Sequence, residues 1–213
     1  MDASVNPSAH GRRVFALVPA AGLSRRMGKP KQLLHYRDGT ILEAVINSVL
    51  ESTVDGLGIV ASPTVRDFLG SDLPERCFVA VNADGDSEMI QSIQIGVREM
   101  RSVFEPCDDD GIMILPGDQP QISGGVITTC AEAYRLPRRP PDMLIAAYAG
   151  RRGHPAIYSF SSLREVESWG PQKGLNELAR RYPERVRELP IVTTPMPIDV
   201  NTPEDYDRLR GLR

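Results

Sequence analysis

The side chains best suited to phosphate chemistry lie in two separate stretches of this sequence. Arg26 and Lys31 follow an apolar run near the start, and they offer a bidentate guanidinium and a mobile ammonium. Asp118 lies in a Gly-Asp-Gln-Pro turn after a second apolar run. Such a carboxylate is a hard oxygen ligand of the kind that Mg²⁺ takes, with water and phosphates completing its shell. The alternatives are a solvated basic face and an aspartate that only hydrogen-bonds its own turn.

A third polar stretch lies near the end of the chain. Asp199 and Asn201 are separated by one residue, so on a strand both side chains would face the same way. The Thr202-Pro203-Glu204-Asp205 run that follows predicts the start of a helix, with proline at its first position and acids in its first turn. Helix initiation alone could explain Glu204 and Asp205.

The segment before Arg26 is a candidate phosphate-binding loop. Ala20, Ala21 and Gly22 are small enough for the backbone to approach a ligand, and successive N–H groups there can hold an anion. The spacing excludes a P-loop, because five residues separate Gly22 from Gly28 and no hydroxyl residue follows the lysine. The dinucleotide pattern G-x-G-x-x-G is also missing.

The elements that must position these residues alternate between strands and helices. This order predicts an α/β fold, a Rossmann-like doubly wound and mostly parallel sheet with right-handed crossovers. In such sheets ligands bind beyond the carboxyl ends of the strands, and the loops at Ala20, Asn82 and Asp118 all lie at such ends. The predicted strands are 14–19, 58–61, 77–81, 111–115 and 143–148, and a capping box at 40–43 predicts the first helix.

Composition limits the classes of function. The chain has 213 residues, 41% of them hydrophobic, and can bury one sizeable core. A net charge of −3 and a pI near 5.7 give no electrostatic case for nucleic acid. The three cysteines are far apart, which predicts a reduced, cytoplasmic protein without a cysteine zinc site. Residues 1–13 are polar, so we expect a disordered tail with no signal peptide and no membrane segment.

The letters A-A-G-x-S-x-R-M-G-x-P-K at residues 20–31 resemble the signature of the MobA-like nucleotidyltransferases, and within them the molybdenum cofactor cytidylyltransferases. The resemblance implies the nucleotide-diphospho-sugar transferase type of fold and a single domain at 14–213. Its nucleotide-binding half would be 14–135 and its acceptor-binding half 143–213. It implies transfer of a nucleoside monophosphate from a triphosphate, here CTP, to the terminal phosphate of the molybdenum cofactor, with release of pyrophosphate.

The resemblance also assigns roles to residues. Arg26, Lys31 and Asp118 would be catalytic, and Asp118 would hold Mg²⁺, or alternatively Mn²⁺, with Asp199 or Asn201. The acceptor, a molybdopterin, would meet Gly153, His154 and Pro155, although a lone histidine can equally be a packed strand residue. The expected nucleotide-binding residues are Ala20, Ala21, Gly22, Leu23, Ser24, Arg26, Gly28, Lys31, Asn82, Ser92 and Asp118.

Several positions depart from the family pattern. Pro19 precedes the loop, Gln172 replaces an aspartate, and Asn201 stands where relatives frequently have aspartate. Ala21 favours cytosine, because guanylyl-transferring members more often carry a second glycine there. Two alternatives therefore stay open. One is a same-fold enzyme that uses GTP, or a sugar or polyol phosphate acceptor. The other is a weakly catalytic maturation partner for a molybdenum hydroxylase apoenzyme.

Overall fold

The first strand, β1 (Val14–Ala20), lies inside the sheet between two parallel neighbours, and all seven of its residues are buried. This computed structural model describes residues 11–22, 24, 27–85, 87–192 and 194–211. The other strands are β2 (His35–Tyr36), β3 (Gly39–Thr40), β4 (Gly56–Ala61), β5 (Cys77–Val81), β6 (Gly111–Ile114), β7 (Met143–Tyr148), β8 (Arg151–Ser159) and β9 (Val186–Pro190). The helices are α1 (Ile41–Leu50), α2 (Pro63–Leu69), α3 (Met89–Phe104), α4 (Gly124–Arg135), α5 (Phe160–Val166), α6 (Asn176–Arg181) and α7 (Pro203–Gly211).

Seven strands form one sheet in the order β5-β4-β1-β6-β8-β7-β9, and β2 pairs with β3 separately. Six of the seven run parallel, and β8 is antiparallel to both of its neighbours. The prediction of an α/β, mostly parallel sheet is therefore confirmed. The reversal of β8 has a consequence for the site, because the first residues of β8 lie at the edge where the parallel strands end.

Helices cover both faces of the sheet. One core contains the apolar sides of α1 and α4, including Leu42, Val45 and Ile127. The other contains those of α3, α5 and α6, including Ile93 and Leu163. None of the helices in the described part of the chain has the length and apolar character needed to cross a membrane.

Two helix starts show how local chemistry fixes the boundaries. The predicted capping box is confirmed, because Thr40 Oγ1 accepts from the Glu43 N–H while the Glu43 carboxylate accepts from the Thr40 N–H. The helix α3 begins at Met89 with Glu88 as its cap, although Ser87 is a residue type that commonly caps helices. Ser87 is unavailable, since its hydroxyl accepts a hydrogen bond from the Asn82 amide at 2.7 Å.

A small third cluster anchors the end of the chain beside the phosphate loop. Val200 and Leu209, both 0% exposed, pack with Leu34 and Ile41. Tyr206 Oη donates to the carbonyl oxygen of the exposed His35 at 2.7 Å. These contacts bring residues 199–201 next to the segment that carries Lys31.

The start of the described chain is fixed by arginines. Arg12 and Arg13 fall within the predicted tail, yet both side chains bind the folded domain. Arg12 donates to the carbonyl oxygen of Arg135 at 2.9 Å, and Arg13 pairs with the buried Asp110 at the same distance. Residues 1–10 lie outside the described part of the chain.

Candidate functional site

Three polar residues from distant parts of the chain meet at the carboxyl edge of the sheet. Lys31 Nζ forms an ion pair with Asp118 Oδ2 and donates to Asn201 Oδ1 at 2.9 Å. The structure therefore brings together one basic residue of the loop, the carboxylate after β6 and one polar residue of the last segment, as the sequence predicts. Side-chain exposures of 17% for Lys31 and 11% for Asp118 leave both partly accessible to a ligand.

A close approach between two loops places Asp118 there. Gly117 N–H donates to the carbonyl oxygen of Pro19 at 3.2 Å. A Cβ on Gly117 would lie 3.1 Å from that oxygen and 3.2 Å from the Cβ of Ala20. Glycine is needed here because a side chain would push the loop after β6 away from the end of β1.

Opposing effects act on the pKa of Asp118. Burial raises the pKa of this carboxyl above its usual value, and the charge and hydrogen bond of Lys31 act in the opposite direction. The nearby carboxylate of Asp199 also raises the pKa of Asp118. Two carboxylates and one ammonium thus share this corner, which suits it to receive a further cation.

The phosphate loop is shaped by backbone conformation. Ser24 and Gly28 both have positive φ, 51° and 67°, and this conformation lets the backbone turn sharply at each of these two residues. Ser24 Oγ accepts from the Lys31 N–H at 2.9 Å and so ties the loop to its own end. Arg26 and Leu23, predicted to bind the nucleotide, lie outside the described residues.

Asp199 and Asn201 reach the site without forming a strand. Residues 194–201 are irregular, and Pro195 and Pro197 lack the N–H groups that a ladder requires. Residues 199–201 do not form a strand, but the expected alternation is present, because Val200 is buried between two exposed polar neighbours. Asn201 then meets Lys31, and the Asp199 carboxylate accepts a hydrogen bond from Gln119 Nε2.

Asn82 and Ser92 are buried together at the end of β5. The Asn82 amide donates to Ser92 Oγ at 3.0 Å, and its oxygen accepts from the Asp84 N–H at 3.2 Å. These bonds join the loop after β5 to the first turns of α3. Their nucleotide contacts stay predictions.

A cleft of about 450 Å³ lies on the α3 and α6 side of the sheet. Its inner walls are apolar, with Ile93, Ile114 and Ile145 among them. Gly153 and His154, two of the three predicted acceptor residues, line it as well. The charge of Asp199 acts on both His154 and Asp118, so the His154 side of the cleft lies near the contact of Lys31 with Asp118.

The Gly153-His154-Pro155 triplet occupies a bulge in β8. Pairing with β7 jumps from Ile145 with Ala156 to Ala147 with Arg152, which leaves the triplet outside the regular ladder. Tyr148 secures it, because Tyr148 Oη donates to the carbonyl oxygen of His154 at 2.6 Å. A Cβ on Gly153 would lie 3.2 Å from the Tyr148 ring.

The imidazole of His154 is held neutral. Burial lowers the pKa of His154 from its ordinary value of 6.5, and the charge of Asp199 opposes this only in part. A neutral imidazole can donate one hydrogen bond and accept another.

Two residues of this region were not anticipated from the sequence. Gln119 holds Asp199, and nothing but its place beside Asp118 pointed to it. Arg180 lines the cleft from α6 and has no ion pair in the described part of the chain, whereas its neighbour Arg181 pairs with Glu165. The sequence showed only a charge run there.

The sequence of this chain is similar to those of several known proteins. The chain is 26% identical over 205 residues to a molybdenum cofactor guanylyltransferase of Rhodopseudomonas palustris, covering 92% of this chain and 91% of that protein. It is 31% identical over 109 residues to a 2-C-methyl-D-erythritol 4-phosphate cytidylyltransferase of Neisseria meningitidis, covering 48% of this chain and 46% of that protein.

Among solved structures, Rv0371c of Mycobacterium tuberculosis superposes with a TM-score of 0.77 and 26% identity, over 95% of this chain and all of that one. Its complex with manganese gives a TM-score of 0.75 at 25% identity, over 94% of this chain and all of that one. The MobA-like NTP transferase domain matches residues 16–186. Because this match spans well over half of the chain, the protein belongs to the MobA-like NTP transferase family and is a nucleotidyltransferase.

Proposed function

We propose that this nucleotidyltransferase moves CMP from CTP onto the terminal phosphate of a molybdopterin-type acceptor. The observation that carries the proposal is the contact of Lys31 with Asp118 and Asn201 beside a neighbouring apolar cleft. One side of this corner is suited to phosphates and a metal, and the other to a ring system. Both substrates would then meet at the carboxyl edge of the sheet.

The triphosphate would lie over the loop from Ala20 to Gly28. Backbone N–H groups there and the ammonium of Lys31 would hold its oxygens, and Arg26 would add a second positive charge. Lys31 has to exchange some of its contact with Asp118 for contact with phosphate when the triphosphate binds. This chemistry relies on positioning and charge stabilisation, and requires no protein nucleophile.

The oxygen atoms at this corner fit a divalent metal. Asp118 Oδ2 and Asn201 Oδ1 already converge on one cation, the Lys31 ammonium, and Asp199 stands next to them. Both are hard oxygen ligands, as Mg²⁺ and Mn²⁺ prefer. Among the described residues no group of three His, Cys, Asp or Glu side chains forms a metal cage, which suits an ion that keeps water and phosphate ligands. The structural relative Rv0371c has been solved as a complex with manganese, which supports a divalent ion for this chain as well.

The apolar cleft favours a flat ring system over a polyol as the acceptor. Isoleucine side chains offer a polyol no partners for its hydroxyl groups, whereas a heterocycle can bury its faces against them. The neutral His154 can donate to, or accept from, polar atoms on the edge of the ring. The relative that acts on molybdenum cofactor is also aligned over nearly its whole length.

In the reaction, an oxygen of the acceptor's terminal phosphate attacks the α-phosphorus of the triphosphate. A new P–O bond forms as the bond to the β-phosphate oxygen breaks, and pyrophosphate leaves. A bound divalent ion would neutralise the phosphates and align them for in-line attack. Lys31 and Arg26 would stabilise the negative charge that develops on the α-phosphate and on pyrophosphate.

Ala21 supports cytosine as the base, because this buried side chain takes space that a second glycine would leave for a purine. The second candidate is GTP, favoured by the guanylyltransferase relative. A weakly catalytic role in delivering cofactor to a molybdenum hydroxylase apoenzyme is the third.

Pyrophosphate release from CTP, GTP, ATP and UTP, with Mg²⁺ and with or without molybdenum cofactor, tests the proposal. We expect acceptor-dependent release with CTP and its loss in Asp118→Asn. The matched control is Asp67→Asn, which changes an exposed aspartate of α2. Release with GTP alone would correct the base, and Asp118→Asn activity within a few-fold of wild type would refute the metal assignment. No release from any triphosphate by a folded protein would leave the binding role.

A further inference from the structure

Gln119 is placed between the two halves of the candidate site. It follows Asp118 directly, so the two residues share one turn after β6. Asp118 meets Lys31, and through Lys31 it meets Asn201. Gln119 meets Asp199, because its Nε2 donates to Asp199 Oδ1. Gln119 thus binds Asp199 directly, and Asp118 is linked to Asn201 through Lys31.

Hydrogen bonds hold the backbone of Gln119 in its turn. Its N–H donates to the carbonyl oxygen of Pro116 at 3.3 Å, and its own carbonyl oxygen accepts from the Ile122 N–H at 3.3 Å. Pro120 also restricts the backbone of Gln119, the residue that precedes it. The side chain is only 6% exposed, so its path towards Asp199 is set by packing.

Asp199, in contrast, has little backbone support. Among the described residues, positions 194–200 make no backbone–backbone hydrogen bond. The burial of Val200 fixes the position of this segment on the domain. The direction of the Asp199 carboxylate depends on a side-chain contact. The hydrogen bond from Gln119 is that contact.

The oxygen atom of the Gln119 amide differs from the nitrogen atom in its surroundings. Its Oε1 is buried and has no partner among the described residues. The amide cannot simply turn over, because Oε1 would then face the Asp199 carboxylate. A buried acceptor without a partner destabilises a fold, and an apolar side chain of similar size would avoid that cost. Packing alone therefore does not account for glutamine at this position.

We propose that Gln119 is a positioning residue, which holds the Asp199 carboxylate beside Asp118 so that a divalent ion finds both. This rests on the proposed metal site, and it assigns to Gln119 a role through Asp199 rather than a contact with substrate. The hydrogen bond is made to a charged group, which is the stronger class of side-chain hydrogen bond.

The test compares Gln119→Met with Gln121→Met. Gln121 lies two residues further along, and both polar atoms of its carboxamide are buried without a hydrogen-bond partner among the described residues, Asp199 included. We expect Gln119→Met to keep or raise the melting temperature, because the unpaired acceptor is removed and the exposed Asp199 can be solvated. The apparent KM for Mn²⁺ or Mg²⁺ should rise about tenfold, as expected when one charged hydrogen bond is lost. Gln121→Met should leave that KM within twofold of wild type.

Two further measurements separate this role from simple packing. In the Asp199→Ala background, Gln119→Met should change the metal KM no further, since the two residues act as one unit. Additive effects would overturn the proposal, as would an equal rise in Gln121→Met. Amide hydrogen exchange of the peptide covering residues 191–203 needs no turnover, and it should be faster in Gln119→Met.

Unchanged exchange in that peptide would also overturn the proposal. Faster exchange with an unchanged metal KM would reduce Gln119 to a structural contact. If wild type released no pyrophosphate from any triphosphate, the proposed function would fail, and metal titration of the protein alone would still decide the role of Gln119.

Discussion

Lys31 and Asn201 lie 170 positions apart in the chain, yet Lys31 Nζ donates to Asn201 Oδ1 across 2.9 Å. The contact closes the candidate site by joining its first loop to its last segment. It depends on the third apolar cluster, in which Val200 packs beside Leu34. The charge at position 201 should therefore control how strongly this corner attracts cations.

We predict that Asn201→Asp tightens metal binding. A second carboxylate would replace a neutral oxygen at the same position, and a carboxylate is the better ligand for Mg²⁺. The apparent KM for Mg²⁺ should fall several-fold, which a metal titration of pyrophosphate release would measure. Asn47→Asp, an exposed change on α1, controls for the added negative charge. An unchanged or higher KM would place Asn201 outside the metal site.

Base preference should respond to position 21. Ala21→Gly removes a buried methyl group at the end of β1, and we expect it to improve kcat/KM for GTP relative to CTP by about tenfold, the scale of one methyl-sized contact. Competition between the two triphosphates would measure the ratio. Ala149→Gly changes an exposed alanine outside the phosphate loop and should leave the ratio alone. If the ratio stays the same in Ala21→Gly, the small residues of the loop do not select the base.

Arg180 lies at the cleft and has no ion pair with any residue that the structure describes. We predict that Arg180→Ala raises KM for the anionic acceptor roughly tenfold without changing KM for the triphosphate, because one charge-assisted contact is lost. Arg181→Ala is the matched control, since that side chain pairs with Glu165 instead. Equal effects of the two substitutions would indicate a general loss of positive charge.

The buried His154 should make stability depend on pH. Burial lowers the pKa of His154 in the folded state below the unfolded value of 6.5. As the pH falls below that value, the unfolded chain takes up a proton that the folded chain resists, and the free energy of unfolding decreases. For one proton the slope reaches at most about 1.4 kcal/mol per pH unit.

Urea unfolding between pH 7.5 and pH 5 would measure this slope, and His154→Gln should flatten it. His35→Gln removes an exposed imidazole and serves as the comparison. A slope that persists in His154→Gln would show that other groups dominate the acid response.

The turn between β7 and β8 should accept a stabilising change. Ala149 and Gly150 both have positive φ, 48° and 78°, as in a type I′ hairpin turn. Alanine is strained there, whereas asparagine tolerates this conformation. Ala149→Asn should raise the free energy of unfolding by about 1 kcal/mol. Thermal or urea unfolding would measure the gain, and Ala149→Val should lower it.

Much of the nucleotide side of the site could be predicted from the sequence. The small residues at 20–22, the Gly-Asp-Gln-Pro turn and the alternation of strands and helices each have a local cause, and the structure places Lys31 and Asp118 in contact. The helix start at Met89 was less accessible, because Ser87 looks like a cap until its bond with Asn82 is known.

The second half depended on long-range contacts. The alternation of Asp199 and Asn201 was considered as it would be on a strand, but burial of Val200 in a side cluster produces the same pattern without a ladder. The contact of Gln119 could not be predicted from the sequence, because its partner Asp199 lies 80 positions away. Neither the reversal of β8 nor its bulge has a local signal strong enough to predict, apart from the glycine and proline of the triplet.

The bulge in β8 has a consequence for how such a protein can change over time. Gly153, His154 and Pro155 stand outside the regular pairing of β7 with β8, so their side chains do not have to fit opposite a partner in the ladder. Substitutions among them can reshape the cleft while the sheet, and the phosphate corner built on its parallel strands, stays as it is. One scaffold can in this way retain its handling of triphosphates while its second substrate diverges.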